Sequence, residues 1–296
     1  MKGNLFYGSA TALVTPFHGS RIDFDGLESL IDWQIDSDTD ALVVLGTTGE
    51  PPTISESERT ALIECSISRC ARRVPLIVGV GSNDTRKAIR YAIEAEHLGA
   101  DALLVVTPYY NKTSRNGMIE HYLSIADQVS IPIIMYNVPS RTGVNLMPET
   151  VAELSKHPLL RAVKEANPDP AQMLDMIRRC EDRVDIYAGN DDCVLQSMAM
   201  GARGVISVAA NIIPKEMHAL TMSWIRGDTD VARSLQLKLL PLIRCLFTET
   251  NPIPVKAALH LMGKCDNTLR LPLVPLSDVH YEALRKELKR MQLIRD

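Results

Sequence analysis

The chain has 296 residues, of which 46% are hydrophobic and 23% are charged, the composition of an ordinary globular protein. Its formal net charge is -4 and its basic residues are scattered, which argues against a nucleic-acid-binding protein. No uncharged apolar run approaches the roughly 18 residues that a membrane span requires, so we expect no membrane partner.

The six cysteines form neither a CxxC pair nor a Cys/His spacing typical of a metal site. A chain of this size can build an adequate core and has no need of a disulfide framework. Residues 1–17 interrupt their apolar side chains with Asn, Gly, Ser and Thr, which is unlike a signal peptide. We therefore expect reduced thiols, no structural metal and a cytoplasmic location.

Short apolar runs recur along most of the chain and predict eight strands. They are almost continuously apolar, as strands that are covered on both faces are. The predicted strands are residues 10–17, 41–46, 75–80, 102–107, 131–137, 160–166, 185–190 and 204–210.

Segments of helical period lie between these strands. One of them follows a capping signal at Asp84 and ends at Gly99, a favourable C-cap residue. Eight βα units of about 25 to 30 residues predict an α/β fold, the (β/α)8 TIM barrel. The alternative is a doubly wound open sheet, which usually has fewer strands and a phosphate-binding glycine loop. The segment GVGSND at 79–84 lacks the third glycine of such a loop.

The strand pattern stops after Gly227. Residues 228–263 and 277–294 have helical patterns, with a proline-containing loop at 271–275 between them. We predict a barrel domain with the catalytic site at 1–227 and an all-helical C-terminal domain at 228–296. No linker between them is long enough to allow independent motion.

Lys164 lies near the end of the sixth predicted strand, where a buried ammonium group would be costly. Apolar surroundings lower the pKa of a lysine, and a neutral amine can attack a carbonyl to form a Schiff base. The alternative is a structural ion pair with a carboxylate. Glu165 is not its natural partner, because adjacent residues of a strand point to opposite faces.

Two other strand ends carry polar side chains. Tyr136 closes the fifth predicted strand, and its phenol can donate a proton to an imine nitrogen. Thr47 and Thr48 follow the second strand between Gly46 and Gly49, which would let the backbone turn sharply and present donors to a carboxylate. The alternative for Tyr136 is a core aromatic residue, and the alternative for the two threonines is a simple turn.

Four segments together resemble the dihydrodipicolinate synthases, within the class I pyruvate aldolases that include N-acetylneuraminate lyase. They are GTTGE at 46–50, TPYYNK at 107–112, YNVPSRTG at 136–143 and the strand of Lys164. The resemblance extends over essentially the whole chain. Arg141, in the third segment, favours the synthase subgroup, whose second substrate carries a carboxylate.

The resemblance implies catalytic roles for four residues. Lys164 forms the Schiff base with pyruvate, and Tyr136 transfers protons during imine formation. Thr47 links Tyr136 to Tyr110, which in the family reaches into the site of the neighbouring subunit. The working unit implied is a homotetramer built from tight dimers.

The resemblance also implies how the substrates are bound. Thr48 binds the carboxylate of pyruvate, and Arg141 holds the carboxylate of the aldehyde with its planar fork of donors. The backbone carbonyl of Ile206 lies near pyruvate, and Gly189 contributes to the lining of the site. Neither a metal nor an organic cofactor is implied, because the lysine itself is the electron sink.

The implied reaction condenses pyruvate with L-aspartate 4-semialdehyde to give 4-hydroxy-tetrahydrodipicolinate, the first committed step of the diaminopimelate route to lysine. One alternative is another pyruvate aldolase, such as a sialic acid lyase or a 2-keto-3-deoxy sugar acid aldolase, for which the carboxylate clamp at Arg141 is unsuited. The other is a barrel that binds an oxo acid without catalysis, although all four implied catalytic residues are present.

Members that are inhibited by lysine bind it between tightly paired subunits. Asn83 and Tyr109 match that pocket, but Lys87 replaces its glutamate and Arg59 replaces its histidine. Three further residues depart from the inhibited pattern, namely Pro51, Pro52 and Glu56. We expect little or no feedback inhibition by lysine.

Overall fold

The computed structural model describes residues 5–295. Residues 1–4 and 296, which the predicted domain limits include, lie outside the described residues. The strands in the described range are β1 (Gly8–Ala12), β2 (Phe17–His18), β3 (Arg21–Ile22), β4 (Ala41–Val44), β5 (Leu76–Gly79), β6 (Ala102–Val106), β7 (Ile133–Asn137), β8 (Leu160–Glu165), β9 (Asp185–Ala188) and β10 (Gly204–Ser207).

Twelve helices accompany these strands within residues 5–295. They are α1 (Phe24–Ile35), α2 (Glu56–Cys70), α3 (Thr85–Leu98), α4 (Arg115–Ala126), α5 (Pro139–Thr142), α6 (Pro148–Leu154), α7 (Pro170–Cys180), α8 (Val194–Met200), α9 (Pro214–Ile225), α10 (Thr229–Cys245), α11 (Ile253–Leu261) and α12 (Asp278–Arg290). None of these helices is both long enough and apolar enough to cross a bilayer.

Eight parallel strands close into a barrel in the order β1, β10, β9, β8, β7, β6, β5, β4. The predicted TIM barrel with C-terminal helices is therefore confirmed, and the open sheet is excluded. The predicted caps of α3 are also found: the Asp84 side chain accepts a hydrogen bond from the backbone N–H of Arg86, and Gly99 takes the left-handed conformation.

The first strand was predicted too late in the chain. It begins at Gly8 and ends at Ala12, and β2 and β3 form a small antiparallel sheet that the sequence analysis missed. The cause is that Leu13, Val14 and Phe17 are fully buried although they lie outside the barrel. Apolar character alone does not separate a buried loop from a buried strand.

The predicted helix at 228–263 is in fact two helices. α10 ends at Cys245 and α11 begins at Ile253. Pro252 disfavours a helical conformation at Asn251, so the chain turns before the second helix begins. The resulting turn, residues 246–252, carries Asn251 to the rim of the barrel. The predicted helix at 277–294 corresponds to α12, and a domain limit at residue 227 stays a prediction.

The inside of the barrel is filled by one cluster of mostly small and branched side chains, including Ala10, Val43, Leu104, Ala162 and Ile206. A second and larger cluster fills the space between the strands and the surrounding helices. Side chains alternate between the two clusters along each strand. The interior of the barrel is therefore a packed apolar core, in which a polar side chain is unusual.

The C-terminal helices are attached to the barrel through a buried ion pair. Lys256 of α11 lies 2.5 Å from Glu50, and both side chains are almost fully buried. The ammonium group of Lys256 also donates to the carbonyl of Thr268 at 2.9 Å and lies 4.0 Å from the ring centre of Phe17. This contact connects α11 to the GTTGE segment.

Candidate active site

Lys164 and Tyr136 lie side by side at the carboxyl end of the barrel. Their Cα atoms are direct partners across β8 and β7. The Lys164 ammonium nitrogen lies 4.4 Å from the centre of the Tyr136 ring, and the two residues are only 5% and 6% exposed. Ala162 and Ala166 flank Lys164 on the interior face. The pairing of β7 with β8 therefore brings the phenol ring and the amine together.

Lys164 is not part of a structural ion pair within residues 5–295. The neighbouring Glu165 lies on the outer face of β8, where it accepts hydrogen bonds from Asn137 at 2.9 Å and from the backbone N–H of Asn167 at 2.6 Å. Burial raises the pKa of Glu165 to about 7. The predicted opposite orientation of Lys164 and Glu165 is therefore found.

Asp191 is a buried carboxyl group close to the site to which the sequence analysis gave no role. One of its oxygens accepts hydrogen bonds from the backbone N–H groups of Val208 and Ala209, both at 2.9 Å. Its other oxygen has no hydrogen-bond partner within the described chain. Burial raises the pKa of Asp191, and the positive charge of Lys164 acts against this rise. The only sequence signal was its position after a strand end.

Gly189 directly follows β9, beside the end of β8. Its backbone N–H donates to the carbonyl of Glu165 at 2.7 Å. A Cβ atom at this position would lie 2.6 Å from the Cβ of Ala166 and 2.9 Å from the Glu165 carbonyl oxygen. Glycine is therefore required by the close approach of the two strand ends. Ile206 lies in the interior cluster together with Tyr136.

The GTTGE segment turns in a way that the sequence analysis did not anticipate. Thr47–Gly49 form one 3₁₀ turn, and the left-handed residues are Leu45 and Glu50, with φ of 56° and 55°. The expectation that Gly46 and Gly49 allow the sharp turn is wrong, since Gly46 has an ordinary φ of -71°. Glu50, one of the two left-handed residues, also forms the buried ion pair with Lys256. Such tertiary contacts can hold a residue in an unfavourable backbone conformation.

Thr48 and Arg141 meet at Asn251, which the sequence analysis missed. The Asn251 side-chain amide donates to the Thr48 hydroxyl oxygen at 3.0 Å. The Arg141 guanidinium donates to the Asn251 backbone carbonyl at 3.2 Å. Residues that lie about 110 or 200 positions apart in the chain thus converge, and the sequence offered no signal for it beyond the Asn-Pro pair.

A cavity of about 390 Å³ opens over the ends of β4 to β7. Thr47, Arg141 and Asn251 line one part of it, and Arg59 and Lys87 line another. Lys164 and Tyr136 do not line this cavity, because they lie inside the barrel. The space can hold a small molecule next to Thr47, to which the resemblance gives a catalytic role, and next to Arg141, to which it gives a role in substrate binding.

The comparisons with known proteins decide the family. Residues 5–291 match the family model of the dihydrodipicolinate synthetase family. This chain belongs to the dihydrodipicolinate synthetase family.

The relatives match over nearly the full length. A 4-hydroxy-tetrahydrodipicolinate synthase from Caldicellulosiruptor saccharolyticus is 49% identical over 285 residues, 96% of each chain. Another, from Alkaliphilus oremlandii, is 47% identical over 290 residues, 98% of this chain and all of the relative. The crystal structure of dihydrodipicolinate synthase from Thermotoga maritima superimposes with a TM-score of 0.97 at 43% identity, covering 98% of this chain and 100% of that one.

Tyr110 is an implied catalytic residue that stays apart from Lys164 and Tyr136 in the single chain of this synthetase-family member. Its side chain is 89% exposed, and its backbone has a left-handed φ of 69°. Within residues 5–295 no hydrogen bond joins it to Thr47 or to Tyr136. A relay through Tyr110, and the second subunit that the resemblance implies for it, therefore stay predictions.

Proposed function

We propose that this protein condenses pyruvate with L-aspartate 4-semialdehyde to form 4-hydroxy-tetrahydrodipicolinate. The observation that carries the proposal is Lys164, buried at the carboxyl end of the barrel, free of an ion pair within the described chain and packed on the Tyr136 ring. Membership of the dihydrodipicolinate synthetase family and the name shared by the relatives support the same reaction.

The chemistry begins with the amine of Lys164. It attacks the keto carbon of pyruvate, and the carbinolamine loses water to give an imine, with Tyr136 donating the proton that the leaving hydroxyl needs. The imine loses a methyl proton and becomes an enamine, which attacks the aldehyde carbon. The amine of the semialdehyde then displaces Lys164 and closes the ring. The protonated imine is the electron sink, so the proposal needs no cofactor.

The substrate carboxylates are assigned to two donors of the rim. Thr48 binds the pyruvate carboxylate and Arg141 binds that of the semialdehyde, because a guanidinium pairs well with a carboxylate. Ile206 and Gly189 line the space around bound pyruvate. The support for Ile206 is its place in the interior cluster with Tyr136, and the support for Gly189 is its close approach to the end of the Lys164 strand.

The assembly that we propose is a homotetramer of tight dimers. Its support is the exposed phenol of Tyr110, which needs a partner subunit to approach Thr47 and Tyr136. The compartment that we propose is the cytoplasm, which suits the six cysteines, all of them free thiols.

The test is borohydride reduction in the presence of pyruvate, followed by peptide mass mapping. We expect a reduced pyruvyl group on Lys164 alone. The Lys164→Ala variant is expected to fold and to lose both the label and the activity, whereas Lys215→Ala, which removes an exposed lysine of α9, keeps both. Labelling of a different lysine, or none, would contradict the mechanism. Efficient cleavage of sialic acid would identify a different aldolase.

A further inference from the structure

Asn251 is buried at the rim of the barrel, in the turn between α10 and α11. It is 5% exposed and lines the cavity together with Thr47 and Arg141. Its side chain donates to the Thr48 hydroxyl oxygen, and its backbone carbonyl accepts a hydrogen bond from Arg141. One residue of the C-terminal region therefore touches both side chains to which the two substrate carboxylates are assigned.

The direction of the Asn251–Thr48 hydrogen bond determines what Thr48 can offer a ligand. A hydroxyl group has one proton to donate and two lone pairs to accept with. Because the Asn251 amide donates to the Thr48 oxygen, the proton of that hydroxyl has to point toward another acceptor. A carboxylate only accepts hydrogen bonds. The amide thus prepares Thr48 as a donor to a carboxylate.

We propose that Asn251 is a positioning residue that orients the Thr48 hydroxyl toward the pyruvate carboxylate and holds Arg141 at the mouth of the site. This inference rests on the proposed function of the site. Within residues 5–295 no hydrogen bond joins Asn251 to Lys164, so Asn251 acts through Thr48 and Arg141.

The unused oxygen of the Asn251 side chain supports this assignment. That oxygen is buried and has no hydrogen-bond partner within the described chain. A buried carbonyl without a partner destabilises a fold, so an asparagine with a purely structural role would be expected to satisfy it. The side chain instead leaves its acceptor unpaired while its donor binds Thr48.

The local fold does not depend on the Asn251 side chain alone. Lys256, five residues further along, forms the buried ion pair with Glu50, which follows Thr48 by two residues. Arg270 also joins the C-terminal region to α2 through its bond to Glu58 at 2.5 Å. These contacts hold the turn and the GTTGE segment together, so variants at Asn251 are expected to fold.

The decisive experiment compares Asn251→Asp with Asn251→Ala. Aspartate has nearly the shape of asparagine, but its carboxylate accepts the Thr48 proton and so turns the hydroxyl away from pyruvate. Alanine only frees the hydroxyl to rotate. We expect the KM for pyruvate to rise a few-fold in Asn251→Ala and roughly ten- to a hundredfold in Asn251→Asp, the effect of losing a hydrogen bond to a charged group.

The order of the two variants separates positioning from structure. If Asn251 had only a structural role, Asn251→Asp would raise the KM less than Asn251→Ala, because aspartate fills the space better than alanine. Observing this order would overturn the proposal. An unchanged KM for pyruvate in Asn251→Asp would also overturn it. Asn116→Asp, which makes the same charge change at an exposed site on α4, is expected to leave the KM unchanged.

A double variant provides a second readout. Thr48→Val already removes the hydroxyl, so adding Asn251→Asp is expected to raise the KM for pyruvate little further; fully multiplicative effects would contradict the coupling. The proposed function fails separately: a wild-type protein that is not labelled by pyruvate and borohydride has no Lys164 Schiff base, whatever the Asn251 variants do.

Discussion

Asn137 and Glu165 are Cα partners across β7 and β8, one residue beyond the Tyr136–Lys164 pair. The Asn137 side-chain amide donates to the two carboxylate oxygens of Glu165 at 2.9 and 3.1 Å. The inner face of the strand pair thus carries the proposed catalytic residues, while the outer face carries a buried polar contact. A slip by one residue would turn every side chain to the other face, so this contact supports the register of the site.

Glu165 is expected to make stability depend on pH. Burial raises its pKa to about 7, against hydrogen bonds from Asn167, Asn137 and Gln172, which lower it. Because the ordinary value is 4.5, the folded protein binds the proton more tightly, and stability falls as the pH rises from 4.5 through 7. The full pKa shift corresponds to a change of about 3 kcal/mol in the free energy of unfolding.

The measurement is the thermal unfolding midpoint between pH 5 and pH 8 for wild type and Glu165→Gln. We expect the midpoint of the variant to fall less over this range than that of the wild type. His121, whose pKa burial lowers to about 4, acts in the opposite direction in both proteins and cancels in the comparison. Glu120→Gln, at an exposed site on α4, is the control. Parallel pH profiles for wild type and Glu165→Gln would contradict the prediction.

Arg141→Ala is expected to raise the KM for L-aspartate 4-semialdehyde by roughly ten- to a hundredfold, because a hydrogen bond to a charged group is lost. Pyruvate labelling of Lys164 should change far less. Arg141→Lys keeps the charge but cannot form the bidentate contact of a guanidinium with a carboxylate. Its KM for the semialdehyde should therefore lie between those of the wild type and Arg141→Ala. Steady-state kinetics with each substrate varied in turn provide the test. An equal loss for both substrates would show that Arg141 has no selective role.

The relay through Tyr110 predicts complementation between inactive chains. Tyr110→Phe and Lys164→Ala are each expected to have little activity on their own. In a mixed dimer, the Lys164 of the first variant meets the Tyr110 of the second, so mixing after dissociation should restore part of the activity. Light scattering at assay concentration measures the assembly. Full activity in a monomer would refute the shared site.

We expect little inhibition by lysine. Arg59 and Lys87 line one part of the cavity and lie 4.1 and 5.4 Å from the centre of the Tyr91 ring. Glu56, the one substitution that would attract an ammonium group, is paired with Arg90 at 3.1 Å. Two cations repel the side chain of lysine, by up to about 4 kcal/mol for charges 4 Å apart.

The measurement is the initial rate at saturating pyruvate during a lysine titration. We expect no half-inhibition at submillimolar lysine. The variant Arg59→His/Lys87→Glu restores the residues of the inhibited pattern and is expected to gain sensitivity. Strong inhibition of the wild type at submillimolar lysine would show that the pocket functions despite its charges.

Because Lys256 and Glu50 form a buried ion pair, we expect a single substitution in the pair to lower the stability of the fold strongly. Lys256→Met leaves the Glu50 carboxylate buried without its cation and is expected to cost about 3–5 kcal/mol of unfolding free energy. The double variant Glu50→Gln/Lys256→Met removes both charges and should recover part of this loss. Denaturant unfolding checks both values. A double variant that is less stable than Lys256→Met would contradict the explanation.

The sequence by itself determined the barrel, its eight strands and the residues at their ends. These features depend on local patterns: continuous apolar runs, helix caps such as Asp84 and Gly99, and the position of Lys164 near the end of a run. The opposite orientation of Lys164 and Glu165 follows from the alternation of side chains along a strand. Such properties need only neighbours in the chain.

The tertiary structure alone decided how the rim is supported. Asn251 reaches Thr48 across 203 positions of the chain, and Lys256 reaches Glu50 from a helix whose separate start the sequence pattern obscured. Leu45 and Glu50 adopt the left-handed conformation in place of the glycines beside them. Each of these features depends on which distant groups meet when the C-terminal helices pack on the barrel. Such contacts determine which polar groups are buried and how they are paired, and no local sequence pattern contains them.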